Sequence, residues 1–556
     1  MQVAGRLIEI LRAAGVDYLF GNPGTTELPF LDALDGSGLR YVVALQEATA
    51  AAAADGYAQA SGRLGVVNLH VAPGLANALS IVHNASRAKT PLLVTAGQQD
   101  TRLLLDQPIL AGDMVKMTDG LTKWSYELRN AAEAPAALRR AIQLALTPPT
   151  GPVFLSLPLD LMTEPCDDSG GGAPGPVAAR PAPEAEAIAR AASLLAGATA
   201  PVIVAGDGVA RAGAQAELVA VAELLGAAVH GEPIHRRLSV PGDHPLWRGG
   251  LYPTATAVAK ALERFDVVLI VGANVFTWLF HAPGSPFGVS QRVVQVDDDA
   301  REIGRSYPVT LGIVGSVRAA LSALARAVGE QQDDAARAAA RERVATLGRA
   351  GEAHARRLAA AADAAGDRVP IAPEFLMRTL ATLLPPDALV VDESASSLPH
   401  VLRHLPFRAG SDFFGSKTGT LGWAMGAALG VQLAHPRRKV VATIGDGSVM
   451  YAPQALWTAA HERLPVTYVV ANNASYAILK SGMLTFGLPA AKRGVFPGMD
   501  LVDPEIDYLA LARSMGVLAV RVDKPGALRD VLARALAHAG PAVVDVVIDR
   551  GFEAMR

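Results

Sequence analysis

Short runs rich in Val, Ile and Leu alternate along this chain with long Ala- and Leu-rich stretches whose apolar residues recur at helical spacing. A parallel sheet covered by helices reads this way: strands buried on both faces lose their polar alternation, and each return crossing needs a helix. Three such blocks can be separated. The first, residues 1–165, holds strand candidates YVVAL from Tyr41, GVVNLH from Gly65, PLLVTAG from Pro91 and GPVFLSLP from Gly151, with the helix ATAAAAADGYAQA after Glu47. Residues 166–183 are rich in Pro and Gly and lack periodicity, so they read as a linker. The second block, 184–330, has strands at Pro201, Asp266 and Arg292 and closes on the helix GSVRAALSALARAV. Residues 331–368, charged and Ala-rich, suggest a helical connection. The third block, 369–556, has strands at Ala388, Lys439, Val466, Val517 and Ala542 and repeats the architecture of the first. The expected fold class is α/β with three doubly wound parallel-sheet domains.

At 556 residues the chain is too long for one hydrophobic core. Fifty Lys and Arg stand against 53 Asp and Glu, a formal charge of -3 that offers no basic field for nucleic acid. The single cysteine, Cys166, can form neither an intrachain disulfide nor a thiolate metal cage. The first twenty residues mix charges with apolar residues at helical spacing, unlike a signal peptide. The longest apolar runs, such as VVLIVGANVF from Val267, fall short of the ~20 residues that cross a bilayer. The expectation is a cytoplasmic protein with no membrane partner.

The most informative stretch is KVVATIGDGSVM, followed by a helical segment and a strand ending in ANNASYAIL. Asp446 and Asn473 stand 27 positions apart (473 minus 446), the length consumed by a strand, a crossover helix and a second parallel strand. Both therefore fall at adjacent carboxyl ends of one sheet, where open α/β sheets bind ligands. A carboxylate oxygen from Asp446, an amide oxygen from Asn473 and an oxygen near Ser475 are hard donors for Mg²⁺ or Ca²⁺. Gly445 and Gly447 let backbone N–H groups approach an anion, and Ser448 opens the next helix, whose N-terminus favours phosphate. An isolated GDG is more often a plain tight turn; the NN at this interval points to a site.

GDG with NN at this spacing resembles the thiamine diphosphate motif of the 2-oxo acid decarboxylase and acetolactate synthase superfamily. The resemblance runs on through FGNPGTTELPFLDAL, VALQEATAAAAADGYAQAS, VVNLHVAPGLANA, VTAGQQ, KWSYE, TGTLGWAM, IGDGS and ALWTAA, and is nearest to the benzoylformate decarboxylases. It implies that the three blocks are a pyrimidine-binding, a middle and a diphosphate-binding domain. It implies thiamine diphosphate and Mg²⁺ as cofactors, leaves open the FAD that some relatives carry, and makes a small 2-oxo acid the substrate. Glu47 matches the acid that meets the cofactor's aminopyrimidine nitrogen, although spacing alone would equally read it as a helix-start acid. His70 matches an active-site histidine, where a strand-end histidine is otherwise more often structural. Thr25 stands where relatives carry a substrate-contacting serine. Gly419 matches the carbonyl that receives the aminopyrimidine amine, and Leu421 the aliphatic wedge that bends the cofactor. Ser396 and Tyr476 match positions near the diphosphate. Because Glu47 and Asp446 lie in different blocks, the family arrangement joins two subunits at each site, implying a homodimer at least and commonly a tetramer.

The pattern also departs from the family. The second histidine of the benzoylformate decarboxylases falls on Leu279; His281, two residues on, either enters the pocket through a rearranged loop or is solvated. Ile478 replaces a small residue and Gly482 a large aromatic one. The loop carrying Lys480, Lys492 and Arg493 reads as solvated surface or as a lid over an anionic group. Decarboxylation to an aldehyde leads, with carboligation or acyloin cleavage as runner-up. A coenzyme A thioester lyase and a cofactor-free regulatory relative rank lower.

Overall fold

The computed structural model describes residues 1–167, 172–175, 181–408 and 412–554. The Pro- and Gly-rich stretch expected as a linker therefore lies partly outside the described residues. The chain forms two compact units: Met1–Ala178 with Gly366–Leu398 and Thr418–Arg556, and Ala179–Ala365 with Pro399–Lys417.

Three parallel six-stranded sheets flanked by helices make up the fold, as the alternation of elements requires. The first contains β1 (Tyr18–Gly21), β2 (Arg40–Val43), β3 (Gly65–Leu69), β4 (Leu92–Gln98), β5 (Ser125–Glu127) and β6 (Pro152–Pro158), in the order β2-β1-β3-β4-β6-β5. The second contains β7 (Pro201–Ala205), β8 (Ala228–Gly231), β9 (Trp247–Gly250), β10 (Val267–Val271), β11 (Arg292–Asp297) and β12 (Leu311–Val314), in the order β12-β11-β10-β7-β8-β9. From its other edge this is the strand order of dinucleotide-binding sheets. The third contains β13 (Leu389–Glu393), β14 (Phe413–Gly415), β15 (Val440–Gly445), β16 (Thr467–Asn472), β17 (Leu518–Val522) and β18 (Ala542–Val547), ordered β14-β13-β15-β16-β18-β17. Subtracting twelve from each label reproduces the first sheet. Every residue of β3, β4, β6, β7, β10 and β13 is buried, the signature of strands covered on both faces.

Strands β1, β5, β8, β9, β12 and β14 escape the sequence reading. They have three or four residues, and several are half-exposed or Gly-containing, too short for a periodicity to register. The charged stretch after residue 331 forms the helix Asp334–Ala364, opened by the Asp333 carboxylate, which accepts the Ala336 N–H.

In the first unit, the Glu47–Ser61 helix packs on the Trp423–Ala434 helix. Gln46 caps the first by accepting the Thr49 N–H, and Gly62, at φ 69°, ends it. Ala50 through Ala54 are fully buried, and their small side chains let the two backbones approach closely. A Cβ on Gly430 would fall 1.9 Å from the Ala53 carbonyl oxygen, and one on Gly56 2.3 Å from that of Ala427. Glycine is required at both positions for lack of space, not for conformation. Across this contact the Trp423 indole donates to Asp55 at 2.6 Å, and Asn84 donates to the same carboxyl at 2.9 Å. Among the described residues no helix is long and apolar enough to cross a membrane.

Candidate active site

The carboxyl ends of β13, β15 and β16 lie side by side, with Glu393 level with Ile444 and Gly445 level with Ala471. Asp446 follows β15 directly and opens the short helix Asp446–Val449; it is 4% exposed. One carboxylate oxygen accepts the Gly447 N–H at 2.8 Å, and the other accepts the Ser475 N–H at 3.3 Å. The Asn473 side-chain oxygen accepts the same Ser475 N–H at 3.1 Å. A shared donor forces the Asp446 and Asn473 oxygens to converge from two neighbouring strand ends. Burial pushes the Asp446 carboxyl up to about 6, against the pull of the surrounding N–H donors. A dry, acidic oxygen pair of this kind is chemically suited to a hard cation such as Mg²⁺, which would restore full ionisation.

The backbone around these oxygens is braced. Asn472 donates to the buried Asp545 at 2.9 Å while its own oxygen accepts the Ala474 N–H at 3.0 Å, and Ala474 has φ 49°. The Ser475 hydroxyl donates to the Met499 carbonyl, and the Tyr508 hydroxyl to that of Asp446, at 3.1 and 3.0 Å. Tyr476 closes over Gly447, where a Cβ would meet its ring at 2.4 Å. Ser448 is buried at the head of the Asp446 helix. Ser396 is exposed in the turn Ala395–Ser397 after β13. Gly419, at φ 70°, has open space around it, and Leu421 is half-buried two residues on. Hard oxygens, an anion-favouring helix start and an open glycine turn fit a metal-bound diphosphate with an organic head.

The first sheet presents a different chemistry at its corresponding edge. Glu47 opens its helix with both oxygens in the amide grip of Asn22 and Asn77, at 3.3 and 3.0 Å. The Gly74 backbone packs against the same carboxylate, and a Cβ there would lie 3.2 Å from its oxygen. His70 follows β3 as the cap of the Val71–Ala88 helix. Its Nδ1 lies 2.8 Å from a carboxylate oxygen of Glu27, which is 2% exposed. The other Glu27 oxygen accepts from the Thr26 hydroxyl at 2.8 Å and the Gly97 N–H at 2.9 Å. Nδ1 is thus the engaged ring nitrogen.

Glu27 and Thr26 were missed in the sequence. Glu27 sits inside the GTTEL motif, but an acid at the start of a helical turn has an ordinary explanation, and its reach to β3 and β4 is a tertiary fact. Thr25, the expected hydroxyl, is exposed beside them. Val71, Ala395 and Ala474 all hold positive φ, at 44°, 41° and 49°. Each follows a candidate site residue or directly precedes one, and each costs about 1–3 kcal/mol, the kind of strain that collects at functional sites.

His281 is exposed in the second unit, in the loop between β10 and β11, as is Leu279. Lys480 is neither a solvated surface cation nor a free lid residue: it is buried, pairs with Asp500 at 2.5 Å and stacks over Phe496 and Phe552. Lys492 and Arg493 are at or after the end of the short Pro489–Lys492 helix. In the second unit, the N–H groups at the switch point between β7 and β10 are already taken. Those of Asp207 and Asn274 donate to Glu232, and those of Arg236 and Arg237 to Asp207. Lys417 lies 2.8 Å from each carboxylate. This edge does not fit the diphosphate of FAD, and no step is assigned to a flavin.

Three segments match thiamine pyrophosphate enzyme domains: residues 1–119 the N-terminal TPP binding domain, 188–324 the central domain and 396–546 the C-terminal TPP binding domain. The chain is 35% identical over 549 residues to a benzoylformate decarboxylase of Pseudomonas aeruginosa, covering 97% of each. It is 28% identical to an acetolactate synthase large subunit of Corynebacterium glutamicum, covering 99% of this chain and 87% of that one. It superposes with a TM-score of 0.87 on a Rhodococcus jostii thiamine diphosphate-dependent 4-hydroxybenzoylformate decarboxylase, 30% identical, over 99% of this chain and 100% of that one. With all three domains matched in order around these strand ends, the chain belongs to the thiamine pyrophosphate enzyme family.

Proposed function

We propose that this protein decarboxylates a 2-oxo acid of benzoylformate-like, aromatic or branched shape to the corresponding aldehyde, using thiamine diphosphate and Mg²⁺. The observation that carries the reading is the pair of oxygens from Asp446 and Asn473 converging on one N–H, together with an amide-held Glu47 and a carboxylate-held His70. When bound, the cofactor supplies the carbanion chemistry. Asp446, Asn473 and Ser475 hold the cation. Gly447, Ser448, Tyr476 and Ser396 would receive the diphosphate, and Gly419 and Leu421 the organic head. Glu47 holds the aminopyrimidine proton. His70 delivers or removes a proton through Nε2, and Thr25 contacts substrate.

The hydrogen-bond partners of Glu47 come from the first sheet's block, and those of Asp446 from the third's. With the two in different blocks, the family arrangement puts each site between two subunits, hence a homodimer at minimum and a tetramer as the full assembly. Leu105 and Ile109, 93% and 83% exposed after β4, are apolar surface that a second copy would cover. Carbon dioxide release from a panel of benzoylformate and branched 2-oxo acids, with thiamine diphosphate and Mg²⁺ supplied, tests the reading. No release from any of them would overturn it. Carboligation is the second reading, favoured by Ile478 and Gly482 and by the likeness to an acetolactate synthase. Product analysis with an added acceptor aldehyde separates the two.

A further inference from the structure

Glu393 is a buried carboxyl without a role in the reading above. It ends β13, and its two oxygens accept the N–H groups of Gly422 and Ala424 at 2.5 and 2.7 Å, straddling the start of the Trp423–Ala434 helix. Glu393 is also level with Ile444 of β15, two residues before Asp446. One carboxyl therefore ties the segment carrying Gly419 and Leu421 to the strand ends that carry the other part of the candidate cofactor site.

The segment needs such an anchor. Gly419 and Gly422 both hold positive φ, at 70° and 82°, and a Cβ on Gly419 would meet nothing within 4 Å. At its upstream end the segment is tied by Thr418, whose N–H and hydroxyl both lie 3.3 Å from the Asn84 side-chain oxygen. Thr420 reaches the Ser80 carbonyl at 3.3 Å. At its downstream end Glu393 accepts the N–H groups on either side of Trp423. Leu421 hangs between these two fixed ends. A buried acceptor bound to a helix start by two N–H donors is a stiff joint, because losing it leaves two desolvated donors unpaired.

We propose that Glu393 is a positioning residue that sets the distance between the wedge at Leu421 and the strand ends that carry Asp446 and Ser448, and so holds the two parts of the site in register for the cofactor. The proposal rests on the thiamine diphosphate reading of the site. It extends to Glu393 no contact with substrate and no proton transfer.

Calorimetric titration of Glu393→Gln and Glu393→Ala with thiamine diphosphate and Mg²⁺, beside the wild type, tests it, with thermal unfolding to verify that each variant folds. The expected result is cofactor binding weakened about tenfold in Glu393→Ala, as for a lost buried hydrogen-bond partner, and less in Glu393→Gln, which keeps one acceptor. Titration with inorganic pyrophosphate and Mg²⁺, which lacks the organic head, should change little. Leu421→Ala combined with Glu393→Ala should be no worse than the weaker single variant, because both remove the same restraint. The circular-dichroism band of the bound aminopyrimidine should fall in both single variants. Equal losses for thiamine diphosphate and pyrophosphate, additive effects of the two substitutions, or affinities unchanged from wild type would each overturn the proposal. A wild type that binds no thiamine diphosphate would instead overturn the reading beneath it.

Discussion

The first and third sheets share one strand order but carry opposite chemistry at their carboxyl edges. After β1, β3 and β4 the chain places Glu27, His70 and the Gly97 N–H in one hydrogen-bonded group, with Glu47 held nearby by amides. After β13, β15 and β16 it places hard oxygens and an anion-favouring helix start. At the equivalent strand end, Asn22 offers an amide to a carboxylate at a helix start, whereas Glu393 offers a carboxyl to the N–H groups of a helix start. The corresponding helices, Glu47–Ser61 and Trp423–Ala434, pack against each other through glycines. One strand order thus carries two edges that differ in the side chains at their strand ends. Under the proposed function the first edge handles protons and the second holds the metal diphosphate.

The two edges should break differently. Glu47→Gln should cut turnover by about 10²–10⁴-fold while leaving cofactor retention near wild type, since it removes a proton-handling group. Asp446→Ala should instead abolish cofactor retention, seen as loss of bound thiamine diphosphate on gel filtration with Mg²⁺ present. Retention in Asp446→Ala, or its loss in Glu47→Gln, would erase the distinction. Chelation should mimic Asp446→Ala and be reversed by added Mg²⁺.

Substitution of the shared helix contact should affect both edges at once. Gly430→Ala drives a methyl into the Ala53 carbonyl and should cost about 1–3 kcal/mol, read as a lower Tm. Smaller and confined to the first edge, Glu27→Gln should lower kcat by about tenfold, part of what a positioned proton carrier supplies, without weakening cofactor binding.

A last effect concerns pH. Burial holds the Glu393 carboxyl at about 8, against 4.5 when unfolded. Between these values the folded state binds the extra proton, so this contribution to stability is full below 4.5, declines as pH rises, and is lost above about 8. Wild-type Tm measured without cofactor should therefore fall more steeply over that interval than that of Glu393→Gln. Parallel slopes would count against a protonated Glu393 in the folded protein.

Much of this was legible in the residues. The long apolar strands, the helix after Glu47, and the GDG and NN motifs are local patterns, and each marks its own element. Strands such as β14 and β9 were not, because three or four residues carry no period. Lys480 read as a surface cation from composition, yet Asp500 and two aromatic rings bury it, a contact made by segments far apart in the chain. Glu27 and Glu393 were invisible for the same reason: each looks like an ordinary acid until its partners arrive from other strands.

By itself the sequence determined the parallel α/β architecture, the three blocks and the position of the metal-type motif, since these follow from periodicity, composition and the spacing between strand ends. Only the tertiary structure decided which nitrogen of His70 is engaged, which glycines are required for space, and which buried acid braces the Leu421 segment. Those depend on distances between residues that the chain itself does not connect, and burial gives such contacts their energy.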